Sequence, residues 1–244
     1  MKKKRKDDLK GVFNCSYGSD PLMTFDRTFG DSDKPIIFNF HGGGGTATGQ
    51  MYISEMNLVA DTAGFIVVYP QGSNYDNGVS HWNSMIATED NKSTADDIGF
   101  VSLLIDEISS NYNIDVERVY ACGYSNGADF SISLACYLSD KVAAFGPVAG
   151  LMYTEEYDNC TPQRPLPIVH IHGEIDSAIP INGSAYSVGF NSVLNYWSNY
   201  NQCSNTIIVD GLDNNGDGYA WSAEIRENCN NNVRLKFYRL GGVD

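Results

Sequence analysis

The stretch Arg118-Val119-Tyr120-Ala121-Cys122-Gly123-Tyr124-Ser125-Asn126-Gly127 decides how the rest of the chain is read. Its apolar run up to Cys122 has the make-up of a buried strand, and Ala128 to Leu138 reads as a helix, so Ser125 stands at a strand-to-helix corner. A serine held in so tight a turn leaves no room for side chains two positions before and two after it. Gly123 and Gly127 meet that demand. The pattern predicts a nucleophile elbow, with the serine hydroxyl presented at the top of a sheet. The G-x-S-x-G string alone is weak, because a chain with 24 glycines meets it by chance; the bland alternative is a glycine-flanked surface serine.

Two other stretches give it weight. Ile36-Ile-Phe-Asn-Phe40 is a core-strand pattern that runs into His41-Gly42-Gly43-Gly44-Gly45, which resembles the glycine-rich oxyanion loop of esterases and lipases. Pro167-Ile-Val-His-Ile-His-Gly173 reads as a further core strand, followed by Glu174-Ile-Asp176-Ser-Ala-Ile-Pro180. A triad acid belongs on the loop after such a strand, and Asp176 fits that place. The predicted oxyanion donors are the backbone N–H of Asn126 and one from the Gly42-Gly43 turn.

Strand and helix signals alternate along the chain: strands near 36–40, 65–69, 118–124, 142–148, 167–172 and 233–240, with helices near 50–62, 96–110, 127–138 and up to Tyr200. Ile98, Val101, Ile105 and Ile108 form one apolar helical stripe. Such alternation predicts an α/β fold, a largely parallel sheet with helices on both faces and its chemistry at the carboxyl ends of the strands. Residues 71–95 form a long polar loop at that end. There Trp82 and His81 are expected at the substrate pocket, together with Tyr124 and Ile179; the competing role for Trp82 is to pin its own loop. His170 and His172 read as structural members of a core strand.

The assembled motifs resemble the polyhydroxybutyrate depolymerase-like and feruloyl-esterase-like α/β-hydrolases, the carbohydrate esterase 1 group. The resemblance rests on His41 to Gly45, Val67-Val-Tyr-Pro-Gln-Gly72, His81-Trp-Asn83, Asp96-Asp-Ile-Gly-Phe-Val101, Gly123 to Gly127, Pro147-Val-Ala-Gly150, His172 to Pro180 and Trp197 to Cys203. It implies a serine carboxylic-ester hydrolase acting on feruloyl, acetyl or short-chain polyester substrates without a cofactor, with Ser125 as nucleophile and Asp176 as triad acid. All four histidines (His41, His81, His170, His172) precede Asp176, whereas the fold's order places the base after it, on the loop beyond the last strand. The base is therefore expected just past Asp244, and the chain as it stands is expected to be nearly inactive. The resemblance also implies a Cys203–Cys229 disulfide. The remaining cysteines are Cys15, Cys122, Cys136 and Cys160, with Cys122 expected as a small buried hydrophobe. The competing readings are an inactive polysaccharide-binding protein of the same fold and a thioester or dienelactone-type hydrolase.

With 244 residues and no repeat or linker, one domain over 11–244 is expected, preceded by a charged tail, 1–10. That tail holds six of the 16 basic residues, so the remainder sets 10 basic against 28 acidic side chains and repels phosphate backbones. Neither nucleic acid nor a membrane is an expected partner; an exported monomer is. Asp213, Asn215, Asp217 and Glu224 satisfy a written calcium-loop pattern. The preceding Thr206 to Leu212 reads as a strand, so a hairpin turn competes with a structural calcium there.

Overall fold

A computed structural model describes residues 33–75, 78–84, 94–211 and 219–242, together with the backbone of Met23–Phe25. Its described strands are β1 (Met23–Phe25), β2 (Lys34–Phe40), β3 (Ile66–Tyr69), β4 (Ile114–Tyr124), β5 (Ala144–Val148), β6 (Ile168–Gly173), β7 (Asn205–Gly211), β8 (Trp221–Glu227) and β9 (Leu235–Leu240). They form one sheet in the order β1-β3-β2-β4-β5-β6-β9-β8-β7. The six strands from β3 to β9 run parallel; β1, β8 and β7 pair antiparallel at the edges.

Helices α1 (Ala47–Ser54), α2 (Met56–Ala63), α3 (Asp97–Asn111), α4 (Asn126–Tyr137), α5 (Thr154–Asn159) and α6 (Phe190–Tyr200) complete the fold. The period-2 geometry of β3 divides the core. Ile66 and Val68 join a large cluster with Ile36, Phe38, Ala121, Phe145 and Phe237, while Val67 and Tyr69 face the other way, onto Ala47, Ala60, Met51 and Met56. Residues of α3, α4 and α6 belong to the large cluster, so these helices lie on one face and α1 and α2 on the other.

The single helix expected over 50–62 is two. Glu55 takes a left-handed conformation (φ 47°) and caps α1 by donating its N–H to Met51. In a continuous helix Met51 and Met56 would point about 140° apart; the break lets both reach the sheet. The strand read as 118–124 begins earlier, at Ile114, through a register shift against β2.

Two disulfides are present among the described residues. Cys203–Cys229 is as the resemblance implied; Cys136–Cys160, which joins the last turn of α4 to the end of α5, is an addition. Cys122 is a free thiol in β4, and burial pushes its pKa up to about 12, so it stays protonated. Among the described residues, no helix is long and apolar enough to cross a membrane.

Candidate active site

β4 delivers Ser125 into the turn before α4 with φ 54° and ψ −126°, a conformation that L-residues rarely adopt. The turn is fixed by Ser125 N–H donating to Val148 at 3.0 Å and by Ala128 and Asp129 N–H donating back to the Ser125 carbonyl. Crowding explains the two flanking glycines. A Cβ on Gly123 would meet the Gly127 carbonyl oxygen at 2.4 Å, and one on Gly127 would meet the Phe40 carbonyl oxygen at 2.3 Å. The corner can therefore exist only if β4 and α4 pass within backbone contact of each other and of β2.

The same closeness brings the glycine run after β2, Gly42 to Gly45, to the serine. A Cβ on Gly42 would lie 3.3 Å from Ser125 Cβ, and one on Gly43 would lie 3.8 Å from Asn126 Cβ. The loop is braced from behind. Gly44 N–H donates to Ser80, Gly45 N–H to Gly42, and the Ser80 hydroxyl to Gly45. His41 is buried and neutral: Nδ1 donates to the Gly42 carbonyl at 2.7 Å and Nε2 accepts from Gly72 N–H at 2.9 Å. Burial holds its pKa below the usual histidine value, which keeps the accepting nitrogen unprotonated. The sequence pointed to the glycines; the bracing by His41 and Ser80 follows only from the fold.

Asp176 sits in the turn after β6. Its Oδ1 accepts from Ala178 N–H at 3.0 Å and Ile179 N–H at 2.7 Å. Its Oδ2 lies 3.7 Å from His172 Nε2, too far for a hydrogen bond, and that nitrogen instead donates to the Ile179 carbonyl at 2.8 Å. One oxygen is thus held by the backbone while the other has no hydrogen-bond donor from His172, as an imidazole-orienting carboxylate requires.

All four imidazoles are engaged. His170 bonds the Gly150 carbonyl, and burial pushes its pKa down to about 3. His81 stacks on Tyr75 with ring centroids 3.4 Å apart and bonds Asn83. The end of β9 nevertheless emerges beside the Asp176 turn: Leu240 pairs with Gly173 and accepts from Glu174 N–H at 3.0 Å.

A cavity of about 610 Å³ opens next to this group, walled by Trp82, Asp129, Leu151, Tyr153 and Ile179, with Tyr186 at its mouth. Trp82 and Ile179, expected at the pocket, line it; His81 and Tyr124 do not, His81 being buried behind the loop and Tyr124 half-exposed beside Gly42. Trp82 also pins its loop. Its ring stacks on Phe130, Nε1 donates to the His41 carbonyl at 3.0 Å, and its backbone N–H and carbonyl pair with the Asn126 side chain at 2.7 and 3.0 Å. Both roles proposed for Trp82 are therefore compatible with one position. Asp97 accepts from Asn83 N–H at 2.8 Å and fixes the next residue of the loop; burial raises its pKa to about 6.

Of the calcium pattern, Asp213, Asn215 and Asp217 lie outside the described residues. Glu224 lies on β8 of a strand hairpin, where its carboxylate faces Arg226 and Arg239.

The family model for esterase PHB depolymerase matches residues 30–164, more than half of the chain and including the loop, the elbow and the Trp82 segment. The chain belongs to that family. Feruloyl esterase B of Piromyces equi is 29% identical over 224 residues, 87% of this chain and 40% of that protein. The bifunctional acetylxylan esterase/xylanase of Neocallimastix patriciarum is 33% identical over 147 residues, 60% of this chain and 20% of that protein. The chain thus spans less than half the length of these curated relatives. An acetyl xylan esterase from Aspergillus awamori superposes with a TM-score of 0.65 over 91% of this chain and 88% of that one; at 16% identity this shows the fold alone, that of the α/β-hydrolases.

Proposed function

We propose that the chain is the hydrolase domain of a serine carboxylic-ester hydrolase, acting on feruloyl or acetyl esters of polysaccharide or on a short-chain polyester. The observation that carries this reading is the strained Ser125 corner packed against the Gly42-Gly43 turn. Attack by the Ser125 hydroxyl on an ester carbonyl builds negative charge on oxygen, which the N–H groups of Asn126, at the start of α4, and of Gly43 would stabilise by hydrogen bonding. An imidazole would remove the serine proton and return it to the leaving alcohol, with Asp176 holding its tautomer. We place that imidazole on the chain that follows β9, beyond Asp244, because Leu240 leaves the sheet beside the Asp176 turn. Water then attacks the acyl-serine by the same route. No cofactor enters these steps.

The two disulfides support an exported protein. The acidic balance supports a substrate without phosphate, and the reading needs no second subunit. A fluorophosphonate probe should label Ser125 and p-nitrophenyl acetate should be hydrolysed by protein extended past Asp244, both lost in Ser125→Ala. Equal turnover by parent and variant would remove Ser125 from the reaction.

A further inference from the structure

We propose that Tyr186, with Thr154 and Glu155 beside it, forms a subsite for a neutral sugar residue next to the scissile ester. This rests on the esterase reading for its meaning but not for its test. Tyr186 is 77% exposed, the most exposed large apolar side chain among the described residues. Its backbone, by contrast, is locked. Tyr186 and Ser187 N–H both donate to the Ser184 hydroxyl, Ser184 N–H donates to Ser187, and Gly183 N–H donates to Pro180 at 2.7 Å with φ 87°. The Tyr186 carbonyl accepts from Thr154 N–H at 2.9 Å, which ties the turn to the start of α5. A rigid turn that holds an aromatic ring out into water at a cavity mouth is preorganised, so binding on its face costs little ordering entropy.

The chemistry around the ring selects the ligand. Among the described residues, the cavity wall carries the carboxylates of Asp129 and Glu155 and the hydroxyls of Thr154 and Ser184, and no lysine, arginine or histidine. Carboxylates accept from sugar hydroxyls, while the negative face of an aromatic ring attracts the polarised C–H bonds of a pyranose or furanose. With two carboxylates and no cation among the described lining residues, the wall favours a neutral ligand over a uronate or phosphate. A polyester offers no hydroxyl hydrogens to these acceptors along its length. The site also adjoins the chemistry: Ile179, on the same wall, donates to Asp176, and Trp82 is bonded to Asn126. A sugar on Tyr186 therefore belongs to the ester that reaches Ser125.

Binding can be read without turnover, by affinity electrophoresis in gels containing soluble neutral arabinoxylan. The parent should be retarded. Tyr186→Ala should lose about five- to tenfold in affinity, and Tyr186→Phe, which keeps the ring, should bind like the parent. Polygalacturonate gels should retard none of them. Unaltered retardation of Tyr186→Ala would overturn the proposal, as would stronger retardation by polygalacturonate than by arabinoxylan, or Tyr186-dependent adsorption to poly(3-hydroxybutyrate) granules without xylan binding. Tyr186-dependent binding by a protein whose Ser125 resists fluorophosphonate would leave this subsite standing while the esterase reading fell.

Discussion

At the residue scale the site turns on one backbone angle pair. Ser125 at φ 54° and ψ −126° carries steric strain of about 1–3 kcal/mol, which α4, β5 and the glycine run after β2 impose. Glycine occupies such a region without a Cβ clash, at an entropic cost of about 0.5–1 kcal/mol. Ser125→Gly should therefore be about 1 kcal/mol more stable than Ser125→Ala, measured by urea denaturation. Equal midpoints would show that the corner is relaxed. The neighbouring glycines behave oppositely. Gly127→Ala places a Cβ 2.3 Å from the Phe40 carbonyl, a backbone atom that cannot step aside. It should lose about 3 kcal/mol and abolish fluorophosphonate labelling, and a stable, labelled variant would contradict the packing described. These positions were legible in the sequence because the glycine spacing around the serine is a local pattern, although the backbone that excludes a side chain at Gly127 belongs to β2.

At the scale of elements, the loop between β3 and α3 shows how a side chain far from the chemistry can position it. Asp97, on the first turn of α3, holds Asn83, and Trp82 then spans to Asn126 and to His41. The sequence marked Trp82 and the Asp96-Asp97 pair but gave no sign that they join, since hydrogen bonds across 14 and 44 residues leave no periodic trace. Asp97 supplies a pH test. An unfolded chain releases its proton near 3.8, whereas the folded protein keeps it until about 6. Between those values the folded state binds the extra proton, so this group's contribution to stability falls as pH rises through the window. Asp97→Asn removes the dependence while keeping an acceptor oxygen. From pH 4 to 7 the parent should lose about 2–3 kcal/mol relative to that variant in denaturant titrations. A constant difference across the range would place the Asp97 carboxyl in water instead.

Across the whole molecule, one covalent tie among the described residues joins two helices and another joins a helix to the sheet. Cys136–Cys160 fastens α5, whose first residues line the cavity, to α4, which Ser125 precedes; Cys203–Cys229 fastens the end of α6 to the turn before β9. Closing loops of 24 and 26 residues restricts the unfolded chain by about 3 kcal/mol each. Cys136→Ala combined with Cys160→Ala should lower the unfolding free energy by about 3 kcal/mol. Proteolysis near α5 should quicken in the same variant, and resistance equal to the parent's would mean that α5 is held by packing alone.

The sequence by itself determined the α/β architecture, the serine corner, the glycine run after β2 and the place of Asp176 after β6. Each is written in a run of a few residues whose apolar period or glycine spacing admits one backbone path. Only the tertiary structure decided that Cys136 meets Cys160, that all four imidazoles are spoken for, and that Tyr186 shares a cavity with Trp82. Those outcomes depend on how loops dozens of residues apart close over the strand ends. Such closure is governed by packing and by backbone hydrogen bonds between segments with no local signature.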